Sequence, residues 1–188
     1  PSVTKTRAAV KIRTEIENHT GKKTDIEIQT IILNPQGKTV AKAQKTIAVT
    51  KTKKIQQQVH IPKPSLWSLE STQLYNAQTV LRIKGKPVDS YETRFGIRSL
   101  SFDAKKGFFL NGQRVRLNGV CMHHDLGPLG SAINRTALKR QLQLLQEMGC
   151  NAIRTAHNPP APELLELTDE MGFLVVDEIF DVWQRKKM

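Results

Sequence analysis

The sequence predicts an antiparallel β-sandwich followed by a parallel α/β unit. Two observations carry the prediction. Through residues 1–97, apolar and polar residues alternate with a period of two, the signature of half-buried strands. In the C-terminal half, three short apolar runs are separated by stretches of helical periodicity, and each run ends in a polar cluster. VRLNGVCM ends in His123-His124-Asp125, CNAIRTA in His157-Asn158, and FLVV in Asp177-Glu178.

The first part reads element by element. Val10, Ile12, Thr14 and Ile16 fall on one face, with Lys11, Arg13, Glu15 and Glu17 on the other. Ile26, Ile28, Thr30 and Ile32 repeat the pattern, as do Ile55, Val59 and Ile61, then Thr79, Leu81 and Ile83. Turn signals lie between them at His19-Thr20-Gly21-Lys22, Asn34-Pro35-Gln36-Gly37 and Lys84-Gly85-Lys86-Pro87. Short strands at this spacing predict a sandwich of immunoglobulin-like type. His60 lies on the polar phase of its strand and His19 in a turn, so both read as solvated. Asn18-His19-Thr20 and Asn134-Arg135-Thr136 match the glycosylation sequon, a short and weak motif.

The second part opens with a hairpin, Phe108 to Val115, whose Asn111-Gly112 supplies the two positive φ angles of a type I′ turn. Leu138, Leu142, Leu145 and Met148 then line one helix face, with Gly149 at the C-terminal cap. A second helix follows Pro159-Pro160, with Leu164, Leu165, Thr168 and Met171 inward and Gly172 as its cap. Strand, helix, strand, helix, strand is the opening of a (β/α) domain. In such units the chemistry sits at the carboxyl ends of the strands, so the three polar clusters mark an enzyme active-site rim.

The bulk numbers bound the partners. The net charge of +12 invites a nucleic-acid reading. Residues 1–97 carry 17 Lys and Arg against 7 Asp and Glu, whereas residues 98–188 carry 12 against 10. The excess therefore lies away from the polar clusters, as single cations alternating with apolar residues. A nucleic-acid groove wants clustered cations and stacking aromatics, so the excess reads as a solvated face. Cys121 and Cys150 fall at different levels of neighbouring strands, more than ~7 Å apart, and read as free thiols. No apolar span reaches the ~20 residues of a transmembrane helix, and no signal peptide is visible. The chain starts at Pro1 and stops at Met188 just after a strand, as if cut at both ends.

Adjacent strand residues face opposite ways, so only one of His123 and His124 can face a site. His123 shares a face with Cys121, which leaves His124 outward or in the loop. Arg154 lies inside an apolar strand, where a charge must be paired, and Asp177 or Glu178 is its candidate partner. For Arg154 and Asp177 a buried salt bridge stands beside substrate contact. His123, His157 and Asp177 could hold a divalent cation, but no two His share a face at tight spacing, so no metal is expected. A retaining glycosidase needs two carboxylates ~5–5.5 Å apart. Near the rim stand only Asp125, Asp177, Glu178 and Asp181, none in the Asn-Glu context of a general acid.

Several stretches resemble glycoside hydrolase family 2, the family of β-galactosidases, β-glucuronidases and β-mannosidases. Leu66-Trp67-Ser68-Leu69-Glu70 with Gln73-Leu74-Tyr75 resembles the signature of its immunoglobulin-like domain, without the prolines usual near Leu69 and Thr72. Arg94-Phe95-Gly96-Ile97-Arg98 resembles its strand leading into the barrel. Phe109-Leu110-Asn111-Gly112, and Leu117-Asn118-Gly119-Val120 with His123, resemble its hairpin and first barrel strand. Asn151 to His157 resembles the second strand, and Val175-Val176-Asp177-Glu178 the third.

The resemblance implies an immunoglobulin-like domain at 1–97 and the first three strands and two helices of a (β/α)8 TIM barrel at 98–188. It implies a retaining glycoside hydrolase acting on β-linked glycosides, β-galactosides first, through two glutamates on later strands beyond Met188. No catalytic residue is then expected within the chain, which would be inactive alone. His123 and His157 match sugar-contacting histidines, and Arg154, Asp177 and Glu178 match polar positions around the site floor. Asn158 stands where a Tyr is common and joins them in the expected substrate-binding set. Ile179-Phe180-Asp181-Val182-Trp183 departs from the acidic-histidine segment that holds magnesium in some β-galactosidases, so no metal and no cofactor are expected. Trp183 reads as core sooner than as a sugar platform.

The expected partner is an oligosaccharide or β-galactoside, not nucleic acid or membrane. A periplasmic or secreted bacterial location is favoured over a cytoplasmic one. Three strands and two helices cannot close a barrel, so the second part is expected to be poorly ordered or to self-associate. The alternative to an enzyme fragment is a non-catalytic sandwich module that binds carbohydrate or protein.

Overall fold

The alternating runs of the first half become long antiparallel strands, because one side of each run has apolar area to bury. The computed structural model describes residues 2–4 and 6–180 and divides into two units, Pro1–Trp67 with Gln73–Ser99, and Ser68–Thr72 with Leu100–Met188. In the first unit, β1 (Arg7–Glu17) pairs with β4 (Thr52–Pro62). A second sheet runs in the order β3 (Thr39–Val49), β2 (Thr24–Leu33), β5 (Leu74–Ile83), β6 (Lys86–Gly96). Strand β3 escaped the sequence reading. It is an edge strand carrying Lys42 and Lys45, so its alternation is blurred, as edge strands often are.

The inward faces meet in two apolar clusters. Ile16, Ile26, Ile28, Val49 and Ile55 form one, and Ile32, Val59, Ile61, Tyr75 and Ile97 belong to the other. His60 and His19 are exposed, as expected. Trp67 is fully buried, and Arg98 stacks 4.6 Å above its ring. Asn18 is fully engaged: its amide nitrogen donates to the carbonyls of Lys22 and Val49, each at 2.8 Å. That use argues against the sequon.

The phase of β4 puts a glutamine where the pattern calls for an apolar residue. Gln57 is buried, and its Oε1 accepts a 2.9 Å hydrogen bond from the buried Thr30 hydroxyl of β2. The Thr79 hydroxyl lies 2.9 Å from Thr30 Oγ1. The chain of polar atoms thus crosses from one sheet to the other. Thr30→Val keeps the shape but leaves Gln57 Oε1 without its donor, at an expected cost of about 1–3 kcal/mol. The pair Thr30→Val with Gln57→Leu is expected to recover part of that loss, as read from urea midpoints. A single variant as stable as the parent would refute the assignment.

In the second unit, β7 (Leu100–Asp103), β8 (Gly107–Leu110) and β9 (Gln113–Arg114) form an antiparallel sheet. Asn111 at φ 53° and Gly112 at φ 78° make the expected hairpin turn. Then β10 (Gly119–Met122), α1 (Arg135–Glu147), β11 (Ala152–Thr155), α2 (Pro162–Met171) and β12 (Leu174–Asp177) follow in order. The three strands are parallel and adjacent, β10-β11-β12. The chain is therefore an immunoglobulin-like sandwich followed by the start of a (β/α) barrel.

Helix α1 starts at Asn134, whose side chain accepts from the Ala137 amide, a regular N-cap. Arg135 ties the helices together through Glu166 at 3.1 Å and Glu170 at 2.8 Å. Two expected inward residues do not hold. Met148 is 73% exposed, because it is the C-cap residue where the chain leaves the helix. Leu165 is exposed and Leu167 is buried in its place. Leu164, Leu167, Thr168 and Met171 keep the i, i+3, i+4, i+7 spacing that holds one face, and Leu165 stands off it. Among the described residues, no helix is long and apolar enough to cross a membrane.

Candidate active-site rim

One face of the parallel sheet is covered by the helices. Val120, Met122, Ile153 and Val175 pack there with Leu138, Leu142, Leu164 and Leu167. Strand alternation sends Cys121 and Arg154 to the opposite face, the side that lines the interior in a barrel. They are register partners, Cys121 on β10 and Arg154 on β11.

Arg154 finds its partner in Glu178. Its Nε donates to Glu178 Oε1 at 2.7 Å, and its Nη2 lies 2.6 Å from the same oxygen. Its Nη1 donates to Cys121 Sγ at 3.2 Å. Asp177 is not the partner, because it pairs in register with Thr155 and so points the other way. There it accepts from the Thr155 hydroxyl at 3.4 Å. The expected alternative of a buried Arg154–Asp177 bridge is thus replaced by a half-exposed Arg154–Glu178 pair, 42% and 26% exposed. The Thr155 hydroxyl also accepts from the Glu178 amide at 3.2 Å.

The other Glu178 oxygen turns to His157. Oε2 accepts from the His157 backbone N–H at 2.7 Å and lies 3.4 Å from His157 Nδ1. His157 has φ 73°, the left-handed region, which is uncommon for a residue with a Cβ. Its ring meets that of His123 edge to face, with centroids 5.6 Å apart. The His157 N–H bond and then the Arg154 side chain hold the Glu178 carboxyl below the usual carboxylate range. The hydrogen bond to Cys121 and then the pairing with Glu178 strengthen the hold of Arg154 on its proton.

The structure therefore brings together four of the six residues expected to bind substrate: His123, Arg154, His157 and Glu178. Asp177 sits on the opposite face, and Asn158 is an exposed residue of the turn after His157. His124 is exposed in the loop, as expected, and Asp125 caps the following turn through the Gly127 amide at 2.7 Å. Cys121 and Thr155 were not singled out as site residues. The signal for Cys121 was its place two residues before His123, on the same strand face. Both cysteines are free. Asp181 and Trp183 lie outside the described residues.

The chain thus joins a β-sandwich to a parallel β/α unit whose strand ends carry a polar cluster. Residues 1–98 match the family "Glycosyl hydrolases family 2", and residues 103–183 match "Glycosyl hydrolases family 2, TIM barrel domain". The chain belongs to glycosyl hydrolase family 2. It is 43% identical over 188 residues to β-galactosidase BoGH2A of Bacteroides ovatus, covering 99% of this chain and 22% of that protein. It is 39% identical over 120 residues to a β-glucuronidase of Bacteroides fragilis, covering 63% of this chain and 17% of that protein. Among solved structures, a family 2 member from Bacteroides cellulosilyticus superposes with a TM-score of 0.94 at 32% identity, over 100% of this chain and 24% of that one. The chain thus spans about a fifth of the length of the curated relatives it matches.

Proposed function

We propose that this chain is part of a retaining β-glycosidase whose preferred substrates are β-galactosides. The observation that carries the reading is the Arg154–Glu178–His157 cluster at the carboxyl ends of parallel strands, in a chain of this family. The galactoside preference is supported by the 43% identity to a β-galactosidase along 99% of the chain. β-Glucuronides are the competing substrates.

Within this reading, the chain supplies sugar-positioning groups and neither the acid nor the nucleophile. Retention needs two carboxylates flanking one bond. Asp125 caps a turn, Glu178 is held by Arg154 and His157, and Asp177 faces away from them. The two catalytic glutamates are assigned to later strands, beyond Met188, and the isolated chain is expected to be inactive. The test compares the 188-residue chain with the longer protein containing it, on nitrophenyl β-galactoside and nitrophenyl β-glucuronide. The longer protein should turn over the galactoside faster, and the short chain neither. Faster glucuronide turnover would overturn the substrate assignment, and turnover by the short chain would overturn the division of labour.

A further inference from the structure

The geometry points to Glu178 as a positioning residue that acts through His157 and touches no substrate itself. The inference rests on the proposed glycosidase reading and deepens it. An ionised carboxylate offers about four lone-pair sites. In Glu178 each oxygen accepts a hydrogen bond from the chain, Oε1 from Arg154 Nε and Oε2 from the His157 N–H, with Arg154 Nη2 2.6 Å from Oε1 and His157 Nδ1 3.4 Å from Oε2. Both oxygens are thus turned to groups of the chain rather than outward to a sugar. The His157 N–H and the Arg154 guanidinium also favour the ionised form, and they lower its pKa.

What Glu178 holds is the orientation of an imidazole. His157 sits in a left-handed backbone conformation at the point where β11 gives way to its loop. That conformation aims the ring at His123. The short bond from the His157 N–H to Glu178 ties this residue to the neighbouring strand end. Arg154, on β11, joins the same carboxylate to Cys121 on β10. One carboxylate thus connects all three strand ends to the histidine pair.

The test has two arms. In the 188-residue chain, the His157 amide proton should resonate far downfield and exchange slowly, and Glu178→Ala should abolish both features while distant amides stay unchanged. In the longer enzyme, Glu178→Gln should lower kcat/KM by roughly 100-fold, since misplacing a positioning group by about 1 Å costs that much. Combined with His157→Ala, it should add no more than roughly threefold to the worse single variant, because groups acting as a unit are not additive. Effects that multiply would mean that Glu178 meets the substrate directly, and would overturn the inference. So would an unchanged His157 amide in Glu178→Ala. A parent enzyme inactive on both glycosides would count against the glycosidase reading alone, and the amide arm would still decide the role of Glu178.

Discussion

Trp67→Ala is expected to lower the stability of the sandwich by about 3–5 kcal/mol, the usual cost of emptying a large aromatic site. Trp67 is the largest of the fully buried side chains among the described residues. Its surroundings are shaped to it. Its backbone N–H donates to the Ile97 carbonyl at 2.8 Å, and Arg98 covers its ring. Gly96 passes so close that a Cβ there would lie 2.9 Å from Trp67 Cβ. Such a site, bounded by backbone, has little room to collapse after truncation, which places the cost high in the range. Urea unfolding followed by far-ultraviolet circular dichroism measures it. A loss below about 1 kcal/mol would mean that the site relaxes or that Trp67 is not enclosed.

Gly172→Ala is expected to be nearly as severe within the second unit, by a different mechanism. Gly172 ends α2 at φ 79°. A side chain in that left-handed conformation costs roughly 1–2 kcal/mol. A Cβ would also run into the carbonyl oxygen of Leu69, a backbone atom that cannot rotate aside. Forcing backbone apart in a packed region adds roughly 1–3 kcal/mol. Hydrogen exchange of the α2 and β12 amides should show the loss locally. Unchanged protection would refute the close approach. An Ala at an ordinary helix cap pays only the first of these costs, so the excess over it measures the contact with Leu69.

The site was legible in part, and the parts divide by range. That the polar clusters end three strands followed from apolar run lengths, and that Arg154 needs a counter-charge followed from its place in an apolar strand. Which carboxylate answers it did not follow. Asp177 and Glu178 are adjacent, and the choice depends on register: Thr155 pairs with Asp177, which leaves Glu178 on the face of Arg154. The left-handed backbone of His157 and its grip by Glu178 were equally invisible, since both arise from contacts between strand ends some twenty residues apart. In the helices, the period found the buried face but misassigned Met148 and Leu165, whose exposure is set by where the neighbouring elements end.

Local chemistry in the sequence determined the element types, the Asn111-Gly112 turn, the glycine after each helix and the change from sandwich to parallel sheet. These depend on alternation, on side-chain period and on φ preferences, which are properties of neighbours along the chain. Tertiary structure alone decided the pairing of Gln57 with Thr30, the edge place of β3, the fit of Gly172 against Leu69 and the choice of Glu178 over Asp177. Each of these is a contact between residues far apart in sequence. Such a contact exists only once sheet register and helix docking have brought the two partners within a few ångströms.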